Sequence, residues 1–243
     1  MTGARLFVVV PAAGGGSRFG GELPKQYASL AGRPVIAHAL DRLAALQAET
    51  TVVVLAPGDA HYARLVGARP GVEVTADGGA TRTATVANAL ARLGSRCTDA
   101  DWIVVHDAAR PCVPLAALRR LVGELADDPV GGLLAVPVAD TLKRAAVAAD
   151  TGAGTRVLRT EDRASLWQAQ TPQMFRCGLL RAALARPEAL AATDEAGAIE
   201  ALATTGRCPA PRLVRGSARN VKITYAADLA LAAALLALPE EVA

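Results

Sequence analysis

Leu6-Phe7-Val8-Val9-Val10 is a continuous apolar run that leads directly into Pro11-Ala12-Ala13-Gly14-Gly15-Gly16-Ser17-Arg18. A short run rich in β-branched residues that ends at glycines predicts a buried strand followed by a loop. Pro11 also interrupts the run too early for the apolar stretch of a secretory signal. We therefore expect this segment to be the first strand of the fold.

Similar apolar runs recur along the chain, and stretches with helical spacing separate them. Continuous rather than alternating apolar strands are typical of a parallel sheet that is buried on both faces. The pattern predicts an α/β fold with a doubly wound, mostly parallel sheet and right-handed crossovers. The predicted strands are 6–10, 51–55, 72–74, 102–105 and 132–136, and the predicted helices are 35–46, 61–66, 83–93 and 115–125.

Ligands of such sheets bind outside the carboxyl ends of the strands. The loops that begin at Pro11, Ala76, His106 and Pro137 each follow a predicted strand. We therefore expect these four loops to converge on one cleft.

The pattern lapses between about 139 and 170, where polar and charged residues surround a tip at 150–154. The strand-like pieces 141–143 and 155–158 favour a projecting β-arm over an unstructured surface insertion. We interpret residues 1–243 as one domain that carries this arm. The apolar run 229–238 is about half of the ~20 residues that a membrane span needs, and it predicts a helix packed on the sheet.

Composition narrows the class of protein. The chain has 243 residues, 52% of them hydrophobic and 20% charged, with a formal net charge of +3. These values argue against a disordered chain and against a nucleic-acid scaffold. The four Cys are scattered and there are only three His, which argues against a zinc site and favours reduced thiols in the cytoplasm.

The glycine-rich loop, 14–16, is a candidate phosphate-binding element. Glycines leave backbone N–H groups free to approach phosphate oxygens, and Arg18 and Lys25 add positive charge. No Gly-Lys-Ser/Thr sequence ends the loop, and no acidic residue follows the second strand as in dinucleotide-binding folds. A tight turn with solvated charges is the alternative.

Asp107 follows the fourth predicted strand, where its carboxylate would reach the cleft and could bind Mg²⁺. Arg110, three residues later, could bind an anionic group there. An Asp–Arg pair that only closes a turn before Pro111 is the alternative. We expect His106 to serve packing or hydrogen bonding and not to act as a base.

Two further segments carry candidate residues. Gly78-Gly79 precedes a predicted helix and offers backbone donors to a base or ribose, with Thr85 one turn inside; an ordinary helix start capped by Thr81 is the alternative. The segment 220–224 resembles a strand with a single lysine, Lys222, which on an edge strand commonly serves solubility.

Together these segments form an ordered set. The sequence resembles the 2-C-methyl-D-erythritol 4-phosphate cytidylyltransferase family over essentially the whole chain. The motifs are, in order, P-A-A-G-x-G-x-R, P-K-Q-Y, G-G-x-x-R, V-H-D-A-A-R-P, D-T-L-K-R, D-R-x-x-L-W-x-A-Q-T-P-Q, T-D-E-A and N-x-K-I-T.

The resemblance implies a Rossmann-like nucleotidyltransferase that makes CDP-methylerythritol and pyrophosphate from CTP and methylerythritol phosphate. It implies that Arg18, Lys25 and Lys222 are catalytic and bind phosphates. It also implies that Asp107 lies at Mg²⁺, or another divalent cation, and at the substrate. The implied nucleotide-binding residues are Ala12, Ala13, Gly14, Gly16, Gly79 and Thr85. The implied residues around the acceptor are Asp107, Arg110, Thr141, Arg163 and Thr171.

The family also implies a homodimer in which the arm, with Thr141 and Arg163, is exchanged between subunits. Neither nucleic acid nor a membrane is an expected partner. The chain departs from the family at Ala80, where an acidic residue is common, and at Thr85, where Ser often stands.

Three alternatives differ in testable ways. A ribitol-phosphate cytidylyltransferase would share the nucleotide half but usually lacks the Arg found here at position 163. An NAD-dependent reductase would need the missing acidic ribose ligand. A catalytically idle nucleotide-binding regulator would have lost phosphate and metal residues, whereas Arg18, Lys25, Asp107 and Lys222 are all present.

Overall fold

The computed structural model describes residues 3–16, 18–20, 23–146 and 155–240. Strands in this part of the chain are β1 (Leu6–Ala12), β2 (Ser29–Leu30), β3 (Arg33–Pro34), β4 (Thr50–Leu55), β5 (Val72–Thr75), β6 (Trp102–Val105), β7 (Gly131–Pro137), β8 (Leu142–Ala145), β9 (Val157–Glu161), β10 (Trp167–Arg176) and β11 (Arg212–Arg215). Helices are α1 (Val35–Leu43), α2 (Tyr62–Leu65), α3 (Arg82–Leu93), α4 (Leu115–Leu125), α5 (Cys177–Leu184), α6 (Glu195–Ala203) and α7 (Asp228–Leu236).

Seven of the strands form one sheet in the order β11-β7-β10-β6-β1-β4-β5. Every neighbouring pair is parallel except those of β10, which runs antiparallel to both β6 and β7. The predicted doubly wound, mostly parallel α/β fold is therefore confirmed. Strand β10 was not predicted from the sequence, because its polar residues and its proline interrupt the apolar pattern.

The strands are buried on both faces, and alternate residues enter two separate cores. Phe7 and Val9 of β1 contribute to the core beneath α3, α5 and α6. Val8 and Val10 contribute to the core beneath α1 and α4. Both cores are built mostly from aliphatic side chains, as the low aromatic content requires.

The C-terminal helix α7 does not pack on the central sheet, contrary to our expectation. Its buried Ala232 joins a third apolar cluster with Ala28, Leu30 and Ile223, outside the seven strands. The helix therefore covers the segment that follows the glycine-rich loop. No helix within the described ranges is long and apolar enough to cross a membrane.

The prediction of a strand at 220–224 is wrong. The segment has no regular secondary structure, and the Ile223 N–H donates to the Ala109 carbonyl oxygen at 2.9 Å, outside any strand ladder. Its backbone is held by the loop that follows β6. Lys222 is therefore not a solubility device on an edge strand.

Within the predicted arm, β8 and β9 form a separate two-stranded antiparallel sheet. Lys143 pairs with Thr160, and the chain then returns to the central sheet through β10, whose first residues overlap the end of the predicted arm. The predicted tip at 150–154 lies outside the described residues.

Candidate active site

The loops after β1 and β5 meet at a glycine. The Gly78 N–H donates to the carbonyl oxygen of Leu55 at 2.9 Å. A Cβ atom at Gly78 would lie only 2.4 Å from the Cβ of Ala13 and 2.6 Å from that carbonyl oxygen. Only glycine permits this approach, and it brings Ala13 together with Gly79, as the predicted cleft requires.

Gln26 fixes the shape of the glycine-rich loop. Its Nε2 atom donates to the carbonyl oxygens of Ala12 at 2.8 Å and Gly14 at 3.2 Å. Gly16 has a φ of 69°, and a Cβ there would lie 3.2 Å from the Cγ of Lys25. The loop is thus held in a conformation that places Lys25 against its backbone.

Lys25 lies in a 3-10 turn, Lys25–Tyr27, and reaches across the cleft. Its Nζ atom donates to the carbonyl oxygen of Ile223 at 2.9 Å. Burial lowers the pKa of Lys25, and the charge of Lys222 lowers it further. Arg18 is exposed on the loop, and its charge also contributes to lowering this pKa.

A cavity of about 100 Å³ lies where these elements meet. The side chains around it carry positive charge from two lysines and negative charge from one aspartate. The lining residues are Pro11, Ala12, Gly14, Lys25, Gln26, Asp107, Ala108, Ala109 and Lys222. The predicted phosphate-binding loop and the residues after β6 therefore share one site.

Asp107 is nearly buried and surrounded by cations. Its Oδ2 atom lies 2.8 Å from Lys222 Nζ and 3.6 Å from Arg110 Nε. Its Oδ1 atom accepts from Arg82 Nε at 3.0 Å. Burial alone would raise the pKa of Asp107, but the three cations outweigh it and hold that pKa well below its usual range. Asp107 is therefore a carboxylate at any physiological pH.

Thr171 and His106 form a hydrogen-bonded chain behind the backbone of Asp107. The Asp107 N–H donates to Thr171 Oγ1 at 3.0 Å, and Thr171 Oγ1 lies 3.2 Å from His106 Nδ1. His106 Nε2 lies 3.0 Å from the Arg110 carbonyl oxygen, which can only accept, so Nδ1 is unprotonated and accepts from Thr171. Burial lowers the pKa of His106 to about 4, so it is neutral and structural, as expected.

Arg110 connects Asp107 to the segment that carries Lys222. It is 9% exposed, and its Nη1 atom donates to the carbonyl oxygen of Asn220 at 2.6 Å. Asn220 Nδ2 in turn donates to Gln170 Oε1 at 3.2 Å and to the Thr171 carbonyl oxygen at 2.8 Å. This buried network, and not a β-ladder, determines where Lys222 lies.

Thr85 holds the turn that precedes α3. Its hydroxyl accepts from the Gly79 N–H at 3.0 Å and donates to the Thr81 carbonyl oxygen at 2.9 Å. The Thr81 hydroxyl accepts from the Ala84 N–H at the helix start, as the capping alternative expects. A direct contact between Thr85 and a base stays a prediction.

A larger cavity of about 970 Å³ opens beside the first. Arg110, Lys222, Asp140 and Leu142 are among its lining residues, so Thr141 lies at its edge between two of them. Arg163 is exposed in the turn between β9 and β10 and is not among the residues that line this cavity. Thr141 thus lies next to two lining residues without lining the cavity itself, and Arg163 lies outside the site of its own chain.

The glycine-rich loop thus faces a carboxylate and two lysines across one cavity. The sequence profile of the 2-C-methyl-D-erythritol 4-phosphate cytidylyltransferase family matches residues 6–238. The chain belongs to this family. It is therefore a cytidylyltransferase, and the NAD-dependent reductase considered above is excluded.

Relatives agree over almost the full chain. The 2-C-methyl-D-erythritol 4-phosphate cytidylyltransferase of Dechloromonas aromatica is 53% identical over 235 residues, 96% of this chain and 97% of that protein. That of Thiobacillus denitrificans is 51% identical over 96% of this chain and 97% of its own. A crystal structure of 4-diphosphocytidyl-2C-methyl-D-erythritol synthase has a TM-score of 0.80 at 40% identity, covering 96% of this chain and 99% of its own.

Two charged residues of the site received no role from the sequence. Arg82 pairs with Asp107 and also with Glu195, a residue with no exposed surface at the start of α6. Both belong to quoted motifs, G-G-x-x-R and T-D-E-A. An arginine after two glycines and an acidic residue at a helix start are common surface features, so pattern alone did not mark them.

Proposed function

We propose that the chain transfers the cytidylyl group of CTP to 2-C-methyl-D-erythritol 4-phosphate, in the non-mevalonate route to isoprenoid precursors. The products are 4-diphosphocytidyl-2-C-methyl-D-erythritol and pyrophosphate. The single observation that carries this proposal is the cavity that Lys25, Lys222 and Asp107 share, in a member of this family.

The acceptor phosphate needs no general base. A phosphate monoester is largely a dianion above its second pKa of about 6, so one of its oxygens can attack directly. The new bond forms between that oxygen and the α-phosphorus of CTP, while the bond from the α-phosphorus to the bridging oxygen breaks and pyrophosphate leaves. The neutral, buried His106 is consistent with a site that performs no proton transfer.

Catalysis then rests on positioning and on neutralising charge. We assign Lys25 and Arg18 to the triphosphate; in support, Lys25 lines the smaller cavity beside the glycine-rich loop, and Lys222 lines both cavities. We assign Ala12, Ala13, Gly14, Gly16, Gly79 and Thr85 to the nucleotide. We assign Asp107, Arg110, Thr141, Thr171 and Arg163 to the acceptor.

Asp107 would hold a divalent cation, which we propose to be Mg²⁺. In the described part of the chain no group of three or more His, Cys, Asp or Glu side chains could hold a metal. A single ionised carboxylate fits Mg²⁺, which commonly binds one or two carboxylates together with substrate phosphates and waters. When bound, the ion would neutralise charge on the triphosphate.

Acceptor choice is tested by pyrophosphate release from purified protein with Mg²⁺ and CTP. We expect rapid release with methylerythritol 4-phosphate and little with ribitol 5-phosphate. Preference for ribitol 5-phosphate would contradict the assignment of Arg163 but keep the nucleotide chemistry. A folded protein that binds CTP but releases no pyrophosphate with either acceptor would be the idle regulator.

A homodimer through the arm is the second part of the proposal. Val157 and Leu158 on β9 are 62% and 60% exposed, and Leu142, Leu166 and Trp167 nearby are also exposed. This apolar surface fits a second copy of the chain, and exchange of arms would supply Arg163 to the partner's acceptor cavity.

The four cysteines are free thiols, which suits the cytoplasm that we propose as the location of the protein.

Hybrid dimers test whether Arg163 acts in the other subunit. The variants Arg163→Ala and Lys25→Ala should each be nearly inactive alone. If Arg163 serves the partner's site, random subunit exchange restores about a quarter of normal activity, because half of the dimers are hybrids with one intact site in two. No recovery, with exchange verified by light scattering and tagged subunits, would place Arg163 in its own chain's site.

A further inference from the structure

Glu195 is a fully buried carboxylate whose charge is matched by Arg82. The Nη1 atom of Arg82 lies 2.6 Å from both carboxylate oxygens of Glu195. The Nε atom of the same guanidinium donates to Asp107 Oδ1 at 3.0 Å. Its Nη2 atom is buried and has no hydrogen-bond partner in the described part of the chain. The two carboxylates therefore determine the orientation of Arg82.

The fold holds Glu195 rigidly. The neighbouring Asp194 caps α6 by accepting from the Gly197 N–H at 2.9 Å. Gln173 of β10 is 1% exposed, donates to Asp194 Oδ2 at 2.8 Å and accepts from the Ala196 N–H at 2.8 Å. The start of α6 is thus fastened to the central sheet on both sides of Glu195.

Stability alone gives little reason for this arrangement. Removing two charges from water costs about as much as their attraction returns, so a buried ion pair contributes little net stability compared with apolar side chains. Burial raises the pKa of Glu195, and its ionised form depends on the nearby charge of Arg82. The consequence of the pair lies in where it holds the guanidinium relative to Asp107.

An unanchored arginine would treat Asp107 differently. Arginine and carboxylate groups favour two parallel hydrogen bonds when both are free to turn. Such a pairing would occupy both oxygens of Asp107. In the structure Arg82 uses only Nε, and Asp107 Oδ2 lies at Lys222 instead, at 2.8 Å.

We propose that Glu195 is a positioning residue that restricts Arg82 to one oxygen of Asp107 and so leaves the other oxygen to Lys222 and the reactants. The inference rests on the proposed role of Asp107 at the reacting groups. Glu195 itself contacts neither substrate, and it acts through Arg82.

The test is the Glu195→Gln variant, which removes the charge and nearly preserves the volume. Mutation of a residue that orients a ligating group typically lowers activity by about 10–100-fold, so we expect kcat to fall by about that factor. We expect the KM for CTP to change by less than about threefold, because the loop that binds the triphosphate is untouched. The control is Glu188→Gln, which breaks an exposed pair with Arg186 and should keep normal kcat.

A double-mutant cycle with Asp107→Asn separates positioning from a general structural effect. Turnover of the slow variants is followed with radiolabelled CTP at equal concentrations of folded protein. If Glu195 acts through Asp107, Glu195→Gln should cause little further loss in the Asp107→Asn background. Equal losses in both backgrounds, or wild-type kcat in Glu195→Gln, would overturn the inference.

Two other outcomes, normal activity of Asp107→Asn and failure of Glu195→Gln to fold, lead to different conclusions. Wild-type activity of Asp107→Asn alone would refute the proposed role of Asp107, and the inference with it. If Glu195→Gln does not fold, Arg82→Lys takes its place, because a single ammonium group cannot reproduce the two-sided contact. The same loss of kcat and the same lack of additivity are then expected, and their absence overturns the proposal.

Discussion

Lys25 donates a hydrogen bond from Nζ to the carbonyl oxygen of Ile223, 2.9 Å away. The preceding residue, Lys222, lies 2.8 Å from Asp107. One lysine therefore helps to hold the backbone that carries the other, and both face the same cavity. Charge and position are coupled in this site, so a change at Lys25 should also affect the position of Lys222.

Replacement of Lys25 by Met should reduce kcat by about 10²–10³-fold, the loss typical for a group that stabilises transition-state charge. Part of the loss will arise because the segment with Lys222 loses a hydrogen bond. Steady-state pyrophosphate release measures the effect, and circular dichroism checks the fold. Arg64→Ala, an exposed cation on α2, is the control and should behave as wild type. Near-normal kcat in Lys25→Met would remove Lys25 from the reaction.

The lowered pKa of Lys25 predicts the alkaline limb of the pH profile. Lys25 must be protonated to bind phosphate, so kcat/KM for CTP should fall as pH rises through a pKa below the ordinary 10.5 of lysine. In Lys25→Arg this limb should move to higher pH, because guanidinium stays charged. An identical limb in both proteins would assign it to another group.

Gly78→Ala should damage the cleft, since the added methyl group would meet Ala13 and the Leu55 carbonyl oxygen. We expect a loss of stability of about 1–3 kcal/mol, typical of overpacking, together with weaker CTP binding. Urea denaturation and calorimetric titration measure the two effects. Gly123→Ala, in open space on α4, is the matched control and should stabilise by roughly 0.5–1 kcal/mol. Equal stability of both variants would contradict the close approach.

His106 should make stability depend on pH. Its folded pKa of about 4 lies below the ordinary 6.5, so its contribution is complete above pH 6.5 and is lost as pH falls from 6.5 through 4. The full loss is about 3 kcal/mol at 1.36 kcal/mol per pKa unit. Urea denaturation between pH 7 and pH 4 should show this component in wild type but not in His106→Asn. The same slope in both would mean that folding does not lower the pKa of His106.

Much of the fold could be predicted from local sequence. The parallel strands are continuous aliphatic runs, and helix α4 begins and ends where its spacing predicts. Strand β10 could not be found in this way, because residues 167–173 contain three glutamines and a proline. Its pairing with β6 and β7 comes from the whole sheet and not from its own residues.

Local sequence likewise predicts the positions of some residues of the candidate site but not of others. Lys25 and Asp107 follow strands or glycines, so their positions could be predicted from sequence. Lys222 stands in an irregular segment that buried hydrogen bonds fix, and an apolar pattern there resembles a strand. Arg82 and Glu195 meet through tertiary packing between α3 and α6, which no local spacing encodes.

The residues of the site are synthesised at different times, because they lie far apart in the sequence. The glycine-rich loop and Asp107 leave the ribosome long before Lys222, and the strands that carry them can begin to form as they are made. Contacts between residues so distant in sequence are the slow ones in folding. We therefore expect the nascent protein to contain its glycine-rich loop and Asp107 before Lys222 is made, and to become competent for transfer only when the segment at Lys222 docks.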